Sequence, residues 1–260
     1  MSPAYVRYGR ADGSDHSLSV TPDQRNTVIV ACAYIVIIML LWNIPVLKLI
    51  LYPFKLLTVG FHEFSHALVG VLTCAKIESI HLDPDEGGAT RMRGGIHLLT
   101  LPAGYLGSSL IGAILIACGF DERASKVASI VVGAFFLFML WWARRNWLSW
   151  VLIILMVGLF VLFWFVGDSV ALRYFVLFIG VMNCLYSVWD ICDDLIFRKV
   201  NESDATAFAQ VVGCFPPQVW GVVWLLVSVA FFVGGILVGI VLFKTPVTEQ
   251  KADPFLKVNT

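Results

Sequence analysis

Charge is scarce in this chain, and its signs cancel: Asp, Glu, Lys and Arg make up 14% of the 260 residues, 18 acidic against 18 basic. That balance removes the electrostatic footprint that binding to a polyanion needs, so no nucleic-acid partner is expected. The six cysteines, Cys32, Cys74, Cys118, Cys184, Cys192 and Cys214, fall mostly in apolar runs and form no C-x-x-C pair. A disulfide scaffold and a thiolate zinc site are both argued against. Also missing are a G-x-S-x-G elbow, a phosphate-binding loop and a repeat of fixed period. The first 26 residues hold no apolar stretch of the kind a cleaved signal requires, and are expected to form a polar, disordered tail.

What is abundant is hydrophobic surface. Apolar side chains account for 59% of the residues, and mean hydropathy is +0.84, values outside the habits of soluble domains. An integral, multi-pass membrane protein is expected, with the lipid bilayer as its solvent. At about 20 apolar residues per crossing, spans fall near 27–50, 54–74, 98–119, 125–143, 147–167, 174–197 and 219–243. The fold class is therefore all-α and polytopic, with about seven transmembrane helices (six to eight) in one domain over residues 27–243, and a short polar tail over 244–260. The first span is long enough to be retained as an anchor. A cytoplasmic N-terminus would place ten Lys and Arg on that side against eight on the other, too even to orient the chain firmly.

One connection differs from a spacer. Residues 76–97, KIESIHLDPDEGGATRMRGGIH, set Ile77, Ile80 and Leu82 among polar neighbours, pass through the turn-rich DPDEGG and return to Gly94-Gly95. The pattern predicts a β-hairpin rather than a solvated loop.

Within the second span lies VGFHEFSHALVG, Val59 to Gly70. On a helix, residues four apart share a face, so His62 and His66 can aim imidazole nitrogens at one ion. Glu63, one step round, stands beside that ion as a general base without ligating it. Ionisable groups at membrane depth cost about 2.5 kcal/mol or more each, and they usually face a bundle interior. Lys55, Thr58, His62, His66, Gly70 and Thr73 recur at spacings of three and four, giving this helix one polar and small face turned inward. The competing reading is a hydrogen-bonded histidine pair with Glu63 as counter-charge.

Catalytic zinc usually takes three protein ligands. The sixth span ends in NCLYSVWDICDDLIF, with Asn183, Ser187, Asp190, Asp193 and Asp194 at helical spacings. If the second and sixth spans run parallel, Asp190 comes nearest to the depth of His62, so Asp190 is expected as the third metal ligand. Asp193 or Asp194 is the alternative, or a carboxylate that orients the ligands. The rival reading makes these aspartates the water boundary of the helix. His81, Asp83, Asp85 and Glu86 in the hairpin, with His97 at its end, are expected to be solvated or hydrogen-bonded, His97 being the competing third ligand.

Taken together, FHEFSHALVG, the hairpin after it, the glycine-rich LPAGYLGSSLIGA (Leu101 to Ala113) and NESDATAFAQ (Asn201 to Gln210) resemble the site-2-protease-type intramembrane zinc metallopeptidases, in particular their B-like branch. The resemblance covers residues 27–243 and implies His62 and His66 as zinc ligands, Glu63 as base, Zn2+ as cofactor and a transmembrane protein as substrate. The family's third ligand is an aspartate followed by glycine. Here Ile191 follows Asp190 and a second aspartate follows Asp193, which leaves Asp204 of the SDA segment as a further alternative. The expected function is zinc-dependent proteolysis within the membrane. A non-catalytic scaffold or chaperone, and a metal-ion transporter, are the alternatives.

Overall fold

The computed structural model describes residues 20–83, 87–192 and 203–244. Among these, eight α-helices and one hairpin follow in chain order. Thr21 caps α1 (Pro22–Asn43) through a capping box with Gln24, and Pro22 fills the first turn, where its missing N–H costs nothing. The Gln24 amide donates to Ile240 O at 2.9 Å and Phe243 O at 2.7 Å, tying the start of the first helix to the end of the last. Helix α2 (Lys48–Leu72) carries the histidines. Cys74 turns the chain at φ 64 into β1 (Lys76–Leu82) and β2 (Gly88–Arg93), an antiparallel pair with an irregularity between Ile77 and Ser79. Gly94 and Gly95, at φ 79 and 84, supply the left-handed turn that leads away from the hairpin.

The remaining helices are α3 (His97–Cys118), α4 (Glu122–Ala143), α5 (Trp147–Phe165), α6 (Val170–Cys192), α7 (Asp204–Val212) and α8 (Pro217–Leu242), with a short 3-10 turn over Val166–Ser169. Side-chain caps explain several of the starts: Asp121 accepts from Ala124 N, Asn146 from Leu148 N and Ser203 from Thr206 N. Gly213 in the left-handed region ends α7, and Pro216-Pro217 open α8.

Seven of these helices match the seven expected spans, with ends shifted by a few residues. Helices α1, α3, α4, α5 and α8 are long and apolar enough to cross a membrane by length and composition. Helix α2 is 25 residues long but carries its polar face inward, where Lys55, Thr58, His62, Glu63 and His66 are buried. In α6 the apolar stretch runs from Val170 to Tyr186. Helix α1 begins inside the stretch read as a tail. The protein is an integral, multi-pass membrane protein.

Helix α3 is the hub, packing on α2, α6, α7 and α8. Its small residues allow that: a Cβ on Gly112 would lie 2.6 Å from Cys184 Sγ, and one on Gly180 of α6 would lie 2.7 Å from Ile116 N. The hairpin folds back alongside α2 instead of projecting away. Ile80 packs with Ala67 and with Ala143 at the end of α4, and Asn146 Nδ2 donates to Leu82 O at 2.6 Å. The polar α4–α5 turn, with Arg144 and Arg145, therefore stands level with Ala67. His62 lies five residues further along α2, about 7.5 Å at the helical rise.

Candidate metal and catalytic site

Three side chains from two distant parts of the chain meet beside α3. His62 Nε2, His66 Nε2 and Asp204 Oδ2 lie 3.0 Å from one another. They form the group of potential metal ligands found among the described residues. The histidine pair follows from helical periodicity alone. Asp204 arrives differently. It occupies the first turn of α7, where a carboxylate is favoured by the helix dipole, and α7 is docked by aromatic packing. Phe208 lies edge-on to Trp220 at 4.7 Å and to Trp224 at 5.4 Å, and Trp224 packs on Tyr105 of α3 at 5.3 Å. Tyr105 in turn meets the His62 ring edge-on at 4.8 Å.

His66 is held from behind. Its Nδ1 lies 2.7 Å from Thr100 O, and since a carbonyl can only accept, Nδ1 carries the hydrogen, which leaves Nε2, the nitrogen that would ligate a metal ion, facing the cluster. Burial pushes the Asp204 carboxyl up, but the imidazoles of His66 and His62 outweigh burial and hold it below the usual carboxylate range.

The donor set and the space beside it both fit a small divalent cation. Tetrahedral zinc with bonds of about 2.0–2.1 Å sets its ligand atoms about 3.3–3.4 Å apart, close to the 3.0 Å edges seen here. A Cβ on Gly104 would lie 2.4 Å from both histidine Nε2 atoms. Glycine therefore keeps open a volume that touches both nitrogens and that a methyl group would fill. Ser65 and Gly107 bring α2 and α3 together one turn along, where a Cβ on Gly107 would lie 2.6 Å from Ser65 Oγ.

Glu63 is buried next to this cluster, under the hairpin. Thr90 Oγ1 lies 2.7 Å from Glu63 Oε2 and 2.9 Å from Glu63 O. A cleft of about 600 Å3 opens here, lined among others by Glu63, His66, Thr90, Arg91, His97 and Asp204. Glu78 and Arg93, which pair with each other across the hairpin, lie on its rim.

Of the residues singled out in the sequence, His62, Glu63 and His66 stand together as expected. Among the described residues, the carboxylate brought to them is that of Asp204. Asp190 belongs to α6, but its side chain, like Asp193 and Asp194, lies outside the described residues, as do Asp85 and Glu86. His97 lines the cleft without joining the cluster, Asp83 is exposed, and His81 sits on β1 opposite Ala89. Gly104, Thr100 and Thr90 were not anticipated. A glycine within LPAGYLG is a weak signal for close approach, whereas nothing local marks Thr90 or the Thr100 carbonyl.

Ionisable groups buried inside an apolar helical bundle mark a functional site by default, and comparison with known families identifies the class. A family model described as Peptidase M50B-like matches residues 31–235, and the chain belongs to this family, the B-like branch of the site-2 proteases. No curated protein and no solved structure matches the chain.

Proposed function

We propose that this protein is a zinc-dependent intramembrane protease in which His62, His66 and Asp204 hold the metal and Glu63 is the general base. The observation that carries the reading is the convergence of three ligand atoms on one another, two of them bordering the space that Gly104 keeps open. In this reading Asp204 takes the role expected of Asp190, because three donors already meet without any contribution from α6. Zinc bound there would acidify a water molecule and polarise a substrate carbonyl.

The chain's own groups supply the rest. Thr100 O orients His66 through Nδ1–H. Glu63 accepts a proton from the attacking water and passes it to the amine nitrogen as the peptide bond breaks, returning to its carboxylate form. A membrane-embedded polypeptide is the substrate this site favours, since the histidines are buried in a helix among apolar membrane-spanning helices, His62 about 7.5 Å along α2 from the level of the polar α4–α5 turn. A transmembrane helix hides its carbonyls in its own hydrogen bonds and must unwind before attack. The cleft beside β2 has room for an extended strand.

The test is zinc analysis and peptide cleavage with the purified protein and its variants. We expect His62→Ala and Asp204→Asn to lose zinc, and Glu63→Gln to keep zinc and lose cleavage. Zinc retained in Asp204→Asn sinks the ligand assignment. A Glu63→Gln protein that keeps every cellular role favours a scaffold, and metal flux into liposomes favours a transporter.

A further inference from the structure

The inner face of β2 runs along α2 in step with the catalytic motif. Alternate strand residues share a face, and three of them meet α2 in order. A Cβ on Gly88 would lie 2.8 Å from Val59 and 2.6 Å from Glu63 Oε1, Thr90 reaches Glu63, and Met92 Sδ lies 3.1 Å from the Cβ position of Gly70. From residue 88 to 92 the strand advances about 13 Å, and from residue 59 to 70 the helix advances about 16 Å, so the two elements stay aligned over the whole contact. The Glu63 carboxylate is thus enclosed between the bare Cα of Gly88 and the hydroxyl of Thr90.

We infer that Thr90 is a positioning residue for Glu63, a role that rests on the reading of Glu63 as general base. Its hydroxyl carries one proton and faces two acceptors on the same residue, Oε2 at 2.7 Å and the main-chain oxygen at 2.9 Å. While Glu63 is a carboxylate, the charge-assisted bond to Oε2 is the stronger of the two and restrains the side chain. The hairpin thereby holds the base in addition to walling the cleft.

The test compares Thr90→Val, which keeps the β-branched shape and loses the O–H, with Thr90→Ser, which keeps the O–H. Each is assayed beside the wild type and Glu63→Gln for zinc content, kcat and KM on a quenched-fluorescent transmembrane peptide, a Leu/Ala helix interrupted by Gly-Pro. We expect Thr90→Val to keep one zinc per chain and an unchanged KM while kcat falls about 10–100-fold, the cost usual for removing a group that orients a functional ligand, and Thr90→Ser to restore most of it. Wild-type kinetics in Thr90→Val beside an inactive Glu63→Gln overturns the inference and leaves the function standing. Loss of zinc or a raised KM in Thr90→Val, not rescued by serine, reduces Thr90 to a part of the hairpin fold. A zinc-loaded wild type that leaves the peptide intact, or a Glu63→Gln that still cuts it, overturns both.

Discussion

Replacing Gly104 by alanine adds one methyl group and removes no ligand, yet the expected result is a protein that no longer holds zinc. The new Cβ would stand 2.4 Å from His62 Nε2, 2.4 Å from His66 Nε2 and 2.5 Å from His62 Cε1. Comfortable separations between such atoms are about 3.5 Å, so both rings must withdraw by about 1 Å. Metal–ligand distances tolerate about 0.2 Å. Neither partner can easily give way: His66 is bonded through Nδ1 to Thr100 on α3 itself, and α3 is locked against α2 where Gly107 meets Ser65.

The loss in zinc affinity should therefore exceed the 10–100-fold typical of outer-shell changes, while overpacking destabilises the fold by about 1–3 kcal/mol. Metal analysis by mass spectrometry under competition from a chelator reads the first effect, and circular dichroism checks that the helices survive. Gly133→Ala is the control, since a Cβ there meets nothing within 4 Å. If Gly104→Ala keeps one zinc per chain with wild-type affinity, the ion does not sit between these histidines and Gly104, and the site must be redrawn.

Three further outcomes are expected. Asp190→Asn should retain zinc where Asp204→Asn loses it, a contrast read directly from metal stoichiometry. Phe208→Ala, which removes a side chain 7% exposed and packed on Trp220 and Trp224, should cost about 3–5 kcal/mol at the docking of α7. Because Asp204 rides on that helix, zinc affinity should fall with it, as chelator titration would reveal. Gly180→Leu should prevent the close approach of α3 and α6, where even a Cβ would lie 2.8 Å from Gly112 O, and should abolish the folded, detergent-stable protein on size-exclusion chromatography.

The third carboxylate shows where the sequence stops being readable. A search along the membrane spans at the depth of His62 leads to Asp190, because it assumes that every ligand rides on a span. Asp204, the ligand proposed above, does not ride on one. It sits on a nine-residue helix, too short to register as a crossing, whose placement depends on Phe208 finding Trp220 and Trp224 on α8. The SDA segment did mark it as an alternative, but without a partner on the same element it ranked below Asp190. The hairpin shows the reverse: turn residues and alternation identify its strands, yet nothing local says that it folds back along α2 until Gly88 and Thr90 reach Glu63.

By itself, then, the sequence settled what depends on neighbours along the chain: an apolar composition that calls for a bilayer, seven long helices, a hairpin, and His62, Glu63 and His66 arranged by helical pitch. The folded chain alone decided what depends on contacts across long separations. Asp204 lies 142 residues from His62, Thr100 is 34 residues from His66, and Thr90 is 27 from Glu63. Periodicity carries no information over such distances. Close packing of helices through glycine and aromatic side chains selects which groups finally share a site.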